Sequence, residues 1–179
     1  MSLIIEDGSI VVNADSYQNL STARQDAASR GLVLASDGLI AEQQLRQAYY
    51  YLTNSYESQI QGERVSAEQT GFMPRSNIFA FGFPVADNSI PAAFLKAQVS
   101  MAASINDGAN VNQADTETQE LASFSVDGVY SETYQDKSSS KSVLPKMPAV
   151  SQFLYPYTKS ALNNGGAALY REDYRIGCY

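Results

Sequence analysis

The sequence predicts a mainly α fold: a small helical bundle of about four helices, with an inserted β-hairpin and extended N- and C-terminal arms. Three observations carry that prediction. Apolar residues recur at three- and four-residue steps in stretches beginning near residues 20, 38 and 92, the spacing of a one-sided helix. Asp127-Gly128 separates two alternating segments, the pattern of a tight β turn. Apolar anchors also lie outside the periodic stretches, at Leu3, Ile4 and Ile5 and again from Leu169 to Tyr179.

Taken in chain order, Asp7-Gly8 sits between Leu3-Ile-Ile and Ile10-Val-Val and predicts a short hairpin or an extended arm. Asn19 is placed to cap a helix over residues 20–30, with Gly31 in the left-handed position after it. Its inner face is Leu20, Ala23, Ala27 and Ala28. Ser36 or Asp37 opens a longer helix to about residue 58, whose buried stripe is Leu45, Ala48, Tyr49, Leu52 and Tyr56. Ser66-Ala-Glu-Gln69 has the spacing of a capping box and predicts a short helical turn.

Residues 70–90 hold Pro74, Pro84 and two glycines between them and read as irregular. Within them, Phe79-Ala-Phe-Gly-Phe83 reads as a loop packed on the helices, or else as an exposed contact patch. Ile90-Pro91 starts a third helix, with Pro at its first position and a stripe of Phe94, Ala97, Met101, Ala102 and Ile105. Residues 106–118 lack periodicity and form a loop. The hairpin follows around 119–134, then a Lys/Ser linker over 136–142. Pro148 begins a last helix through Leu154, and Pro156 bends or ends it. Residues 1–160 thus form the helical domain and 161–179 a C-terminal docking arm.

Composition narrows the chemistry. The chain contains no histidine and a single cysteine, Cys178. Nucleophiles activated by His are excluded, and so are a thiolate metal cluster and an internal disulfide. Ser138-Ser-Ser-Lys141 has the spacing of some acylating enzymes but sits in a Ser-rich linker without partner motifs. The oxygen ligands between Asp107 and Glu120 do not follow the calcium-loop offsets. The chain is therefore expected to be no enzyme, and to hold no cofactor and no metal. No run of about 18 apolar residues spans a membrane. The opening residues lack the basic and long apolar regions of a signal peptide, so residence in a cytosol is expected.

Net charge is −7, and its placement says more than its size. Between Lys96 and Lys137 there is no Lys or Arg, but there are Asp107, Asp115, Glu117, Glu120, Asp127, Glu132 and Asp136. That stretch should repel phosphate. Arg64 and Arg75 are expected to pair with local acids or carbonyls, with a share in an intersubunit contact as the other reading. The C-terminal arm alternates aromatic anchors with charges: Leu169, Tyr170, Arg171, Tyr174, Arg175, Ile176 and Tyr179. These residues suit docking on another chain, or packing on their own domain.

Several stretches together resemble a tailed-phage family: Ile4-Ile-Glu-Asp-Gly-Ser with Asn13-Ala-Asp-Ser-Tyr17, the segment from Ala23 to Gly31, the Tyr-rich second helix, Gln61-Gly-Glu-Arg-Val-Ser66, Gln69, Pro74-Arg75, Ile90-Pro91-Ala92, and Pro148-Ala-Val with Leu154-Tyr-Pro156. The chain departs from the common pattern at Met73, where an aromatic is usual, and in the length of its tail beyond residue 160. The family looks like the head–tail adaptor, or head-completion, proteins and is often labelled DnaT-like ssDNA-binding protein.

The resemblance implies a bacteriophage virion structural protein, a head–tail connector in the neck assembled in the host cytoplasm. It implies a homo-oligomeric ring of about twelve copies that docks on the portal protein and holds a downstream tail or nozzle protein. DNA would pass through it without specific binding during ejection, with no membrane involved. On that reading the acidic residues Asp115, Glu117, Glu120, Asp127 and Glu132 face the channel, where repulsion keeps DNA from sticking. The alternative is a single-stranded DNA-binding replication protein, as the label says.

Overall fold

The computed structural model describes residues 2–109, 123–126, 130–133 and 147–162. The chain divides into two compact units, Met1–Ala109 with Met147–Tyr179, and Asn110–Lys146. Five α-helices and three two-stranded antiparallel ribbons lie among the described residues, so the fold is mainly helical with inserted hairpins.

Helix α1 (Leu20–Ser29) starts where the Asn19 side chain accepts a hydrogen bond from the Thr22 amide, one of the donors a helix start leaves unpaired. Its last turn closes into Gly31, whose φ of +68° is the left-handed state a helix stop favours. Ala23 and Ala27 are buried, while Ala28 faces solvent: it lies about 100° around the helix from Ala27, off the inward stripe. Helix α2 (Gly38–Tyr56) is capped by Asp37, whose carboxylate accepts from the Leu39 and Ile40 amides. Leu45, Ala48, Tyr49, Leu52 and Tyr56 are all buried.

Helix α3 (Ala92–Asn106) is the centre of the bundle and packs on α2, on α4 (Pro148–Leu154) and on α1. Phe94, Ala97, Met101 and Ala102 are buried on it. Pro91 stands at the cap, one residue ahead of the expected place. Pro148 is the first residue of α4. Pro156 lies in the 3₁₀ turn Tyr155–Tyr157 that ends it, and a one-turn helix α5 (Lys159–Ala161) follows.

An aromatic chain runs through the core. Tyr49 lies 4.7 Å from Tyr17, Tyr17 6.3 Å from Phe72, Phe72 5.4 Å from Phe94, and Phe94 5.1 Å from Tyr157, measured between ring centroids. Tilted and edge-on pairs of this kind add about 0.5–1.5 kcal/mol each beyond their buried area. Burial pushes the Tyr17 and Tyr49 phenols well above the usual tyrosine range. Gly71 is required there, because a Cβ on it would sit 2.1 Å from the Tyr49 hydroxyl.

The N-terminal segment is held by polar groups rather than by a ladder. Asp7-Gly8 does not form a hairpin. Instead the chain wraps around the buried Glu6 carboxylate, which accepts from the amides of Gly8, Ile10 and Val11 at 2.8–3.1 Å. Three amides converging on one carboxylate outweigh the two-residue turn. The pairing that does occur is a parallel bridge of Ile5 with Ser16. Asp15 accepts from the Ile4 amide at 2.7 Å and pairs with Arg46 of α2 at 2.6 Å. Buried Gln98 of α3 accepts from the Tyr17 amide and donates to Ser16 and to the Leu45 carbonyl.

Ser66-Ala-Glu-Gln69 makes capping-box bonds without a helix. The Ser66 amide donates to Gln69 Oε1 and the Glu68 amide to Ser66 Oγ, but the Gln69 amide group turns inward to the carbonyls of Gly71 and Pro74. Strands β1 (Glu63–Arg64) and β2 (Arg75–Ser76) form one ribbon. Strands β3 (Phe79–Ala80) and β4 (Phe83–Pro84) form a second. The hairpin expected around 119–134 is β5 (Ser123–Val126) against β6 (Tyr130–Thr133), with Val126 opposite Tyr130.

Candidate functional site

The segment between α2 and α3 carries the most solvent-facing aromatic surface among the described residues. Phe79-Ala-Phe-Gly-Phe83 is neither a packed loop nor irregular. Ala80 pairs with Phe83 and Phe79 with Pro84, leaving Phe81-Gly82 as a two-residue turn. Both turn residues have positive φ, +54° and +83°, the mirror-image turn whose twist matches the strands it joins. Opposed residues share a face of a ribbon. Phe79 and Phe83 therefore lie on opposite faces, with Phe81 at the tip.

All three rings are accessible: Phe79 is 42% exposed, Phe81 79% and Phe83 73%. None stacks on another ring among the described residues. Phe81 stands out for a second reason. A left-handed backbone suits Gly or Asn and costs a larger side chain about 1–2 kcal/mol. Burial could offset that cost, but Phe81 is not buried. An exposed ring held in a disfavoured conformation is a mark of function rather than of folding.

The hairpin is rigidly based. Its foot is closed by the Val85 amide donating to the Ile78 carbonyl at 2.9 Å, with Ile78 itself buried. Buried Gln61 anchors it: Gln61 Oε1 accepts from the Phe79 amide at 3.0 Å, and Nε2 donates to the carbonyls of Pro156 and Thr158. The turn Tyr155–Tyr157 thereby lies against β3. Tyr155 is 49% exposed, and Lys159 follows it, exposed, its ammonium donating to the Ser58 carbonyl.

Charge is sparse here. From Ser76 to Leu95 the chain has no Lys or Arg and one acid, Asp87. Arg64 and Arg75 are taken up by the body. Arg64 forms a fork with the Glu57 carboxylate, the second bond at 2.7 Å, and donates to the Gln69 carbonyl. This holds the Glu57 carboxyl below its ordinary range and raises the Arg64 guanidinium. Arg75 is buried and donates to the carbonyls of Gln61 and Gly62 at 2.8 and 2.7 Å. Pairing with local acids and carbonyls is what the sequence led us to expect of both. The hairpin itself carries no titratable side chain from Ser76 to Ala86, so it offers flat apolar rings and no proton-transfer group.

The partner-binding residues expected from sequence, Leu169, Tyr170, Arg171, Tyr174, Arg175, Ile176 and Tyr179, lie outside the described residues. So do Asp115, Glu117, Glu120 and Asp127, and the Ser138–Lys141 spacing. Glu132 stands in β6 opposite Phe124. No described helix is long and apolar enough to cross a membrane. The hairpin was legible in part: Phe-Gly between alternating phenylalanines is a two-residue turn signal, weaker than Asn-Gly.

A family model described as "Putative DnaT-like ssDNA binding protein" matches residues 1–172. No curated protein and no solved structure matches the chain. The family's description names single-stranded DNA, not a place in a virion neck, and it overturns the expected head–tail connector. That expectation rested on the resemblance, with phosphate repulsion by the acidic segment as its physical support. Of the two elements by which single strands are ordinarily held, the described hairpin supplies exposed rings on which bases stack, while the chain from Ser76 to Leu95 supplies no cation for a groove.

Proposed function

We propose that this chain, which belongs to the family described as DnaT-like ssDNA-binding proteins, binds single-stranded DNA and is not an enzyme. The observation that carries the reading is Phe81, exposed at a strained turn between two other exposed phenylalanines. Unpaired bases present π faces that duplex DNA hides, and stacking a base on an aromatic side chain is worth about 1–3 kcal/mol. In this reading Phe81 and Phe83 receive bases, Phe79 and Tyr155 flank them, and Lys159 contacts phosphate. Gln61 positions the hairpin without touching DNA.

The test is a fluorescence-anisotropy titration of the full chain with a labelled single strand and with the same sequence as duplex. The single strand is expected to bind more tightly. Phe81→Ala with Phe83→Ala should abolish that binding while the thermal midpoint stays in place. Absence of single-strand binding at low salt, or equal affinity for duplex, would overturn the reading.

A further inference from the structure

We infer that the Phe79–Phe83 hairpin recognises the faces of unpaired bases and not the sugar-phosphate backbone, so that binding depends only weakly on salt. The inference rests on the single-strand reading above and specifies the chemistry of its ligand. The hairpin carries three exposed rings, Phe81 at its tip with Phe79 and Phe83 on its two faces, and the chain around it supplies no cation from Ser76 to Leu95. Arg64 and Arg75, nearest to it along the chain on the N-terminal side, are already committed to Glu57 and to backbone carbonyls. Next to β3, in the segment that Gln61 holds there, Lys159 is the one cation, and its only described partner is the neutral Ser58 carbonyl.

Counterion release makes the affinity for a single strand fall with a log–log slope of about −0.7 per phosphate neutralised. One lysine gives a slope of that size at most. A flat ring at the tip, meanwhile, can take any base, since every base has a π face. The expected ligand is therefore an unpaired stretch with no strict sequence, recognised through stacking. Asp87, close after the hairpin, further disfavours a phosphate-led contact.

The experiment titrates the full chain with labelled oligothymidine of roughly 16 nucleotides and with an abasic strand of equal length, across a salt series. Expected are binding to oligothymidine, at least tenfold weaker binding to the abasic strand, and a slope no steeper than about −0.7. Phe81→Tyr should keep the affinity and Phe81→Leu, apolar but without a π face, should lose it at least tenfold. Equal affinity for the abasic strand, a slope steeper than about −2, or full affinity in Phe81→Leu would overturn the inference while leaving single-strand binding intact. Failure of both strands to bind would remove the underlying reading, and the inference with it.

Discussion

The Phe79 amide donates to Gln61 Oε1 at 3.0 Å, from one hairpin residue to one wholly buried amide. The same side chain donates to Pro156 and Thr158, so a single glutamine joins the end of α2, the hairpin and the turn after α4. Gln61→Leu keeps the volume but leaves the Phe79 amide and the Pro156 carbonyl without the partner Gln61 supplies, while the Thr158 carbonyl still accepts from the Ala161 amide. Each such group costs about 1–3 kcal/mol. We expect a loss on the order of 3 kcal/mol, read as a lower urea midpoint, with new protease cleavage near the hairpin. An unchanged midpoint would show that Gln61 is not the anchor.

Phe81→Asn separates folding from function. Asparagine tolerates the left-handed backbone better than phenylalanine does, and the exposed ring contributes little burial. Stability should hold or rise by up to about 1 kcal/mol, while single-strand affinity falls at least tenfold. A clear drop in the thermal midpoint would mean the ring packs on something after all.

Gly71→Ala should destabilise the core by about 1–3 kcal/mol, because its Cβ meets the Tyr49 hydroxyl at 2.1 Å. Tyr49→Phe removes the nearer of two crowding atoms and leaves the ring carbon Cζ, 2.7 Å from the added Cβ. The Tyr49 hydroxyl is buried without a hydrogen-bond partner among the described residues, so Tyr49→Phe alone should be neutral or mildly stabilising. In the double variant part of the Gly71→Ala penalty should be relieved, the rest remaining because the ring carbon still crowds the new Cβ. Additive losses in that double-mutant cycle would refute a clash between these two positions.

The Glu57–Arg64 fork predicts a pH dependence. The folded carboxyl is held below its ordinary range by the Arg64 hydrogen bonds and charge. Its stabilisation is therefore present above the ordinary carboxylate pKa and is lost as pH falls through the lowered folded value. Chemical denaturation at neutral and at acid pH should reveal this as a fall in the urea midpoint on the acid side. Glu57→Gln should flatten that part of the profile and leave the rest; an unaltered profile would assign the acid sensitivity to other groups.

The sequence by itself determined the helices and their inward faces. Asn19 and Asp37 cap by short-range hydrogen bonds to amides two or three residues ahead, and the stripes of α2 and α3 follow from a local period. Pro148 and Pro156 mark the ends of α4 for an equally local reason. These features need no knowledge of what the chain meets later. The β5–β6 hairpin was legible on the same ground, through Asp127-Gly128 and its alternating flanks.

Only the tertiary structure decided how the polar side chains are spent. Glu6 overrides the Asp7-Gly8 turn because three amides converge on its carboxylate. Gln69 turns away from a helix start because buried carbonyls at Gly71 and Pro74 need its amide. The same holds for the Phe79–Phe83 cluster. Its apolar composition suited a buried loop, and whether three phenylalanines face the core or the solvent depends on where Gln61 and Ile78 fasten their strand. Periodicity is a property of neighbours in sequence, whereas the satisfaction of a buried donor or the exposure of a ring is a property of neighbours in space.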